Sequence, residues 1–514
     1  MVLVFWLAVA AVSSTTTVGG EAEPAIRNDV IDAKGKRNYE PTWESLAQHG
    51  AAPEWYEDAV FGIYFHWGIY SVPAYGGEKY YMKMYKPDQG VYKYHCKTYG
   101  NPTEFGYHDL IPMFKAEKWD PNRWAELFKH AGADFAGSIA EHGDGFAMWD
   151  TEYDEYNAMD MGPHRDIVGE MSQAVRNHGM KVVTTFHNLK WYFYDNGRTL
   201  CPEGVGVNNP EYSGLYGPVH NVGDPISESF KEEGYNKFIE VIDKYQPDQL
   251  QIDGGTCSTL GEERLKKMLA YYFNAARKQG KEVAVSRGND RNNPDVIPIT
   301  CAIANMECRF PDVALDAIRA STWQATTRIP DFSYCYVASQ ENKTPAQIED
   351  SVNALVDGMV TVKCTNGVTL LSIGPKPDGT LPDAVVKILN KLGDWMRVNK
   401  EALYGGRCWF PCAAGTLRFT QKGPFLYAIA LEKPEPPVVI PRVTPMPGSA
   451  IRMLGSDENL AWHQDGGNAV IDELPDPLPC DYAWIFKIRF DRSMEKSQKN
   501  SDDLTLSPYP LLVP

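Results

Sequence analysis

The sequence predicts a (β/α)8-type, TIM-like barrel followed by a small antiparallel β-sandwich. Short apolar strands alternate with amphipathic helices, reactive residues recur at the strand ends, and the pattern changes after Gly405. At 514 residues the chain is also too long for one ordinary domain. The predicted divisions are a signal peptide over 1–22, the barrel over 23–404, the sandwich over 405–491 and a disordered tail over 492–514.

Eight short, mostly apolar segments predict the barrel strands. They are residues 61–67, 134–142, 181–188, 249–254, 282–288, 302–308, 333–338 and 367–374. Helical patterns lie between them, over 121–132, 167–178, 228–245, 261–279, 345–357 and 382–403. The first helix begins at Asp120-Pro121, because aspartate is a common N-cap and proline suits the first helical position. A doubly wound open sheet would give a similar string, but eight strands with interleaved helices favour a closed parallel barrel.

Beyond Gly405, apolar and polar residues alternate, which indicates antiparallel strands. The clearest segments are GTLRFTQ, PFLYAIAL, AVIDEL and AWIFKIRF, interrupted by the proline-rich connection EKPEPPVVIPRVTPMPG. This part of the chain therefore predicts a compact β-sandwich.

The composition excludes one large class of partners. The net charge is −17, from 50 basic and 67 acidic residues, whereas a nucleic-acid-binding protein needs a basic surface to displace counterions. We therefore expect no nucleic-acid partner. The 13 Trp and 28 Tyr residues fit the stacking walls of a sugar-binding cleft, although the count alone favours core packing.

The N-terminus has the features of a secretory signal. The run MVLVFWLAVAAV is too short to span a bilayer but suits a signal peptide cleaved between Gly19 and Ala22; a buried N-terminal strand is the alternative. Ten cysteines and the sequon Asn342-Lys343-Thr344 suit a secreted or lysosomal protein. Cys408 and Cys412 could form a disulfide across a turn, but spacing does not define the pairing. No later segment predicts a membrane helix.

Reactive residues recur where the predicted strands end. They are His66, His142, His187, Asp253, Arg287 and Glu307, in the order of the first six strands. The C-terminal ends of barrel strands meet at one face, where the catalytic residues of such barrels lie. A single histidine or aspartate there is usually a cap or a surface residue, but six in succession predict a site.

Asp253 and Glu307 indicate the reaction. Two carboxyl groups can cleave a glycoside: one attacks the anomeric carbon, and the other protonates the leaving oxygen and then activates water. Asp253 precedes Gly254-Gly255, which permits a sharp turn and leaves the carboxylate accessible; the alternative is a turn aspartate. The alternative role of Glu307 is an ion pair with Arg309 or Arg287.

Four segments resemble the α-L-fucosidases of glycoside hydrolase family 29. They are FGIYFHWGIYSVPAYGGEKYY, AEHGDGFAMWDTEYDEYNAMDMGPHRDIVGEM, PDQLQIDGG and GVTLLSIGPKPDGTLPDAVVKILNKLGDWMRVNKEALYG. The resemblance extends from about residue 40 to residue 490, and the order and spacing of the segments make it specific. It implies a retaining enzyme that removes terminal α-L-fucose from fucosylated glycans or oligosaccharides and needs no metal or other cofactor.

The resemblance also implies the catalytic residues. The aspartate after the fourth strand, Asp253, would be the nucleophile. Glu307 would be the acid/base, because Trp323-Gln324 and Cys335-Tyr336 mark the element that follows this residue in the family.

The predicted sugar site combines the resemblance with residues near the strand ends. His66, in the FHWG segment, and His142, the first histidine of the family's HHDGF segment, would contact the sugar. Trp67, Glu78 and His187 complete the predicted site, and Arg287 would orient a carboxylate.

The sequence departs from the family pattern in four places. Gly143 replaces the second histidine of HHDGF, and Gln251 replaces a tryptophan two residues before the nucleophile. The family's Glu-Trp pair reads Glu78-Lys79, and its tyrosine pair on the third strand reads Phe186-His187. We hypothesise that His187 supplies the polar group that a glycine at position 143 cannot provide. These changes bear on sugar preference more than on reaction type.

Two other functions fit the same residues. A hydrolase of α-L-galactosides is one, since that sugar adds only a hydroxyl at C6 and a methyl-packing pocket rejects an added hydroxyl weakly. A non-catalytic fucose-binding lectin is the other, although both carboxylates are present. The sequence has no phosphate-binding loop, dinucleotide fingerprint or HExxH pair, and its spacings predict no metal site. It leaves open whether the protein forms a homo-oligomer.

Overall fold

The computed structural model describes residues 38–187, 196–221, 223–253, 255–287, 297–313 and 321–490. The predicted signal peptide and the predicted C-terminal tail lie outside these residues. Within them, no helix is both long and apolar enough to cross a bilayer.

Eight parallel strands close into a barrel, which confirms the predicted fold class. The strands are β1 (Phe61–Phe65), β2 (Phe135–Glu141), β3 (Lys181–Phe186), β4 (Gln249–Ile252), β5 (Ala284–Arg287), β6 (Ile303–Glu307), β7 (Trp323–Arg328) and β8 (Gly367–Ile373). Strands β1 and β8 close the sheet, pairing from Phe61 with Thr369 to Phe65 with Ile373. Because the first and last strands are hydrogen-bonded, the doubly wound open sheet is excluded.

The seventh strand is Trp323–Arg328 and not the predicted segment 333–338, so that prediction is wrong. In 333–338 only Cys335 forms a bridge, with His66, and a 3₁₀ turn begins at Ala338. The prediction followed β-propensity, which favours the aromatic residues of 333–338. The true strand carries polar side chains because part of the barrel interior is polar.

A hydrogen-bonded network of amide side chains lies inside the barrel. Gln324 Nε2 donates to Gln251 Oε1 at 2.9 Å and to Asn305 Oδ1 at 3.2 Å. Its Oε1 accepts from Tyr56 Oη at 2.7 Å and from Gln249 Nε2 at 2.6 Å. The amide group of Gln324 is stable in the interior because both its oxygen and its nitrogen are hydrogen-bonded. Gln251, where the family pattern has tryptophan, therefore belongs to this network.

The helices cover the outside of the barrel or lie in its connecting loops. They are α1 (Trp43–Leu46), α2 (Glu54–Asp58), α3 (Tyr80–Lys83), α4 (Gly90–Thr98), α5 (Pro121–His130), α6 (Ile167–Asn177), α7 (Asn196–Leu200), α8 (Ser213–Tyr216), α9 (Glu228–Tyr245), α10 (Thr256–Leu260), α11 (Glu262–Lys278), α12 (Pro345–Cys364) and α13 (Asp383–Asn399). Short 3₁₀ segments cover Ala47–His49, Ile69–Ser71, Tyr107–Met113, Gly206–Asn208, Pro210–Tyr212, Ala338–Gln340 and Lys400–Ala402.

The six predicted helices are all present, and the two largest differences lie at the C-terminal ends of α12 and α13. The predicted N-cap of α5 is confirmed, because the Asp120 carboxylate accepts from the backbone N–H groups of Asn122 and Arg123. Helix α12 extends beyond its predicted end at 357 to Cys364. The helix predicted over 382–403 ends at Asn399, and the 3₁₀ turn over Lys400–Ala402 continues it.

Beyond the barrel, two antiparallel sheets form the predicted sandwich. Their strands are β9 (Arg407–Ala414), β10 (Leu417–Lys422), β11 (Phe425–Ala430), β12 (Val438–Ile440), β13 (Ile451–Met453), β14 (Trp462–Asp465), β15 (Asn468–Ile471) and β16 (Trp484–Arg489). One sheet has the order β13-β16-β11-β10-β9 and the other β12-β15-β14. Phe419 and Phe486 of the first sheet share a core with Ile440 and Ile471 of the second.

The cysteines differ from one expectation. Cys408 and Cys412 both lie on β9 as free thiols. The disulfide considered for these two residues is therefore not present. The sequon residue Asn342 is exposed, just before Thr344, which caps α12.

Candidate active site

The C-terminal ends of the first four strands bring predicted site residues together. Each functional side chain follows a strand by one residue and keeps the backbone pairing of the barrel. His66 N donates to the Ile373 carbonyl at 3.0 Å, His187 N to that of Glu141 at 2.8 Å, and Asp253 N to that of Phe186 at 2.9 Å. The barrel backbone therefore fixes the Cα positions of these residues.

His66, His142 and His187 form a compact group, which we call the histidine cluster. The ring centroid of His66 lies 5.5 Å from that of His142 and 5.5 Å from that of His187, and the last two rings are 4.7 Å apart. The three residues are only 3%, 5% and 6% exposed. Three buried imidazoles at one barrel mouth can bind a polar, uncharged ligand through several hydrogen bonds.

Asp253 lies directly against the histidine cluster. Its Oδ2 is 3.2 Å from His187 Nδ1, and its side chain is 23% exposed, so a ligand can reach the carboxylate. The negative charge favours the His187 tautomer that carries its proton on Nδ1. The predicted nucleophile, Asp253, and the predicted sugar-binding residue His187 are thus in contact.

Glu307 is the last residue of β6, and it is exposed at the same barrel mouth. Burial raises the pKa of Tyr334, and the charge of Glu307 raises it further. Burial also raises the pKa of Tyr64, with further contributions from the charges of Asp253 and Glu307. Both carboxylates therefore act on the same buried phenol at the end of β1. The predicted ion-pair alternative, Arg287, donates through Nη1 to the Ile297 carbonyl at 2.7 Å.

Glu78 approaches the site from the loop after β1. Its charge contributes to the raised pKa values of Tyr70 and Tyr334, which follow mainly from burial. Tyr334 lies against the cluster, with its ring centroid 5.0 Å from that of His66. The side chain of Glu78 is half-buried at the rim.

Trp67 lies outside the site, so the structure does not support its predicted contact with the sugar. The residue is 1% exposed, and its ring packs against Phe114, Trp119 and Trp124 at centroid distances of 5.2, 5.5 and 5.3 Å. Its Nε1 donates to the Lys376 carbonyl at 2.8 Å. Trp67 follows His66 in the chain, so its side chain points the opposite way, into the layer between strands and helices.

Three site residues were missed by the sequence reasoning. Ser372 Oγ lies 2.7 Å from His66 Nδ1 and fixes the orientation of the ring. Tyr64 lies two residues before His66, and this period-two spacing could have placed it on the same face. No sequence pattern placed Tyr334 in the site, because segment 333–338 was predicted to be a strand.

Glu141 faces away from the histidine cluster, into a buried ion group. Its Oε2 lies 2.9 Å from Lys237 Nζ on α9, which is also 2.9 Å from Asp154 Oδ2. Burial raises the pKa of Glu141 to about 7, although Lys237 opposes the shift. This group anchors the end of β2, and thereby His142, to the helix layer.

Asp144 provides a prediction about pH and stability. Burial raises its pKa to about 7, although hydrogen bonds, including one of 2.7 Å from Tyr107 Oη, lower it. A raised pKa means that the folded state loses stability as pH rises from about 4 to about 7. Asp144→Asn cannot ionise, so its stability relative to the wild type should increase over this range, by at most about 1.4 kcal/mol per pH unit. Urea unfolding at pH 5 and pH 7.5 measures the difference, and a pH-independent difference would contradict the assignment.

Comparisons with known proteins all point to one family. A family described as Alpha-L-fucosidase matches residues 28–401. The chain is 28% identical to the tissue alpha-L-fucosidase of Rattus norvegicus, over 88% of this chain and 92% of that protein. It is 28% identical to the plasma alpha-L-fucosidase of Homo sapiens, over 89% of this chain and 93% of that protein.

A solved structure with a bound sugar shares the fold. The alpha-fucosidase of Thermotoga maritima in complex with fucose is 30% identical to this chain, with a TM-score of 0.71. The alignment covers 88% of this chain and 100% of that protein.

Proposed function

Since the chain belongs to the alpha-L-fucosidase family, we propose that it hydrolyses terminal α-L-fucosides with retention, through a covalent fucosyl–Asp253 intermediate. The observation that carries this proposal is the position of Asp253. This carboxylate is accessible, lies at the C-terminal end of β4, and is 3.2 Å from an imidazole of the histidine cluster. A nucleophile needs this combination of accessibility and nearby donors, because it must be ionised before it attacks.

In the first step, Asp253 attacks the anomeric carbon while Glu307 protonates the leaving oxygen. The bond to the leaving group breaks as the bond to Asp253 Oδ forms, so the configuration inverts once. In the second step, Glu307 takes a proton from water, which attacks the same carbon and releases Asp253 with a second inversion. The support for Glu307 is its exposure at the end of β6, where a leaving group and water can reach it.

The sugar hydroxyls would be held by the histidine cluster and by Glu78 at the rim. Neutral imidazoles can donate through one nitrogen and accept through the other, which suits hydroxyl groups. Ser372 fixes the ring of His66, and Asp253 fixes that of His187, so the donors are already oriented before the sugar binds.

We also propose that the protein enters the secretory pathway and acts outside the cell or in lysosomes. The N-terminal apolar run and the exposed sequon at Asn342 support this route. The relatives with tissue and plasma in their names are consistent with it.

A chromogenic assay separates the enzyme from a lectin of the same fold. The purified protein should release the aryl group from an aryl α-L-fucoside, and more slowly from the α-L-galactoside, whose added hydroxyl is only weakly rejected. Binding of fucose with no release of the aryl group would identify a lectin. Faster release from the galactoside would assign the enzyme to that sugar.

A further inference from the structure

We propose that the histidine cluster also binds a divalent transition metal ion such as Zn2+, and that the bound ion excludes the sugar. The metal is an inhibitor in this proposal and takes no part in hydrolysis. Only the competition with fucose rests on the proposed function; metal binding follows from the three imidazoles and Asp253 alone.

The spacing of the three imidazoles is close to that of a metal site. One ring nitrogen from each of His66, His142 and His187 lies within 4.8 Å of the others. Nitrogens bound to one Zn2+ at about 2.0–2.1 Å in a tetrahedron lie about 3.4 Å apart. Each ring therefore has to move by about an ångström to bind the ion, which small side-chain rotations can supply.

Two of the rings have a polar partner at Nδ1, which favours the tautomer with its proton on that nitrogen. Ser372 Oγ donates to the Tyr334 carbonyl at 3.4 Å, so its oxygen is an acceptor for a proton on His66 Nδ1, 2.7 Å away. The Asp253 carboxylate, 3.2 Å from His187 Nδ1, likewise favours the proton on that atom. In both rings the lone pair is then on Nε2. Metal-binding histidines commonly have this arrangement, with the other ring nitrogen held by a carboxylate or another acceptor.

The charge at the site also suits a cation. The histidine cluster is buried, so an ion there needs nearby negative charge to offset the loss of hydration. Asp253 supplies this charge through the His187 ring, as in the carboxylate–histidine–metal arrangement.

Calorimetric titration of the purified, full-length protein with Zn2+ tests the proposal without using activity. We expect one equivalent to bind, with an affinity at least tenfold lower in His187→Tyr. Asp253→Asn, which removes the partner of the ring rather than a ligand, should also weaken binding by roughly 10- to 100-fold. The matched control is His463→Tyr, because His463 Nδ1 also lies near a carboxylate, 3.0 Å from Asp472, but in the sandwich and outside the histidine cluster. This variant should bind Zn2+ like the wild type.

A second measurement uses the unmodified protein, so it does not depend on the folding of variants. Bound Co2+ should give the visible absorption of a four-coordinate site, and excess L-fucose should remove it. Absence of one-equivalent binding, or equal affinity in wild type and His187→Tyr, would overturn the metal site. Zn2+ binding at the cluster that fucose does not displace would instead contradict the sugar-binding role, which distinguishes the two failures.

Discussion

Asp253→Ala should lower kcat for an aryl α-L-fucoside by several orders of magnitude. Covalent catalysis replaces one difficult step with two easier ones, and the variant has no group to form the intermediate. The loss should appear in kcat rather than in KM, because the histidine cluster can still bind the sugar. Steady-state rates of aryl release measure it.

Added azide should restore part of this rate. The small anion can enter the space left by the carboxylate and attack the anomeric carbon, releasing the aryl group. Only one inversion then occurs, so the product should be the β-L-fucosyl azide. The matched control is Asp150→Ala, which removes an exposed carboxylate from the loop after β2 and should leave the rate nearly unchanged. Near wild-type turnover in Asp253→Ala would remove this residue from the mechanism.

Glu307→Gln should have an effect that depends on the leaving group. General acid–base catalysis contributes roughly 10²–10⁴-fold, and it matters most when the leaving group is poor. Hydrolysis of fucosyl-oligosaccharides should therefore be severely reduced. An activated aryl fucoside should still form the fucosyl-enzyme, because its leaving group departs without a proton. Breakdown of that intermediate lacks its general base, so a burst of aryl product should precede a slow steady state.

The alternative role of Glu307 as a structural residue gives a different result. It predicts a modest loss that is similar for both substrates, with no burst. Pre-steady-state kinetics on the two substrates distinguishes the outcomes. Equal losses without a burst would shift the acid/base assignment to Glu78, the other predicted acid at the rim. Glu141, at the end of β2, is not available for this role, because it faces Lys237 in the helix layer.

The position of the site was predictable because, in a parallel barrel, residues that recur at the strand ends must lie at one face of the barrel. His66, His142, His187 and Asp253 each follow a strand by one residue, and the ends of parallel barrel strands meet at one face. The sequence alone could not place Trp67, since a tryptophan beside His66 is equally suited to the core. The alternation of side chains along a strand decides this case, and it requires the strand's facing direction.

The error at the seventh strand has a related cause. β-Propensity favours residues that suit a half-buried strand with one apolar face. In β7, however, Gln324 and Thr326 belong to a hydrogen-bonded network inside the barrel. Such a network forms only when several strands are assembled, so no local sequence pattern indicates it. Tyr334 was missed for the same reason, because its role depends on a segment that leaves the barrel after β7.

Proton NMR of the first-formed sugar tests the central claim most directly. The free fucose has to be observed within the first turnovers, before mutarotation mixes the anomers. Double displacement through Asp253 inverts the anomeric carbon twice, so α-L-fucose should appear first and the β-anomer only later. Early appearance of β-L-fucose would show a single displacement by water and would contradict the covalent fucosyl–Asp253 intermediate.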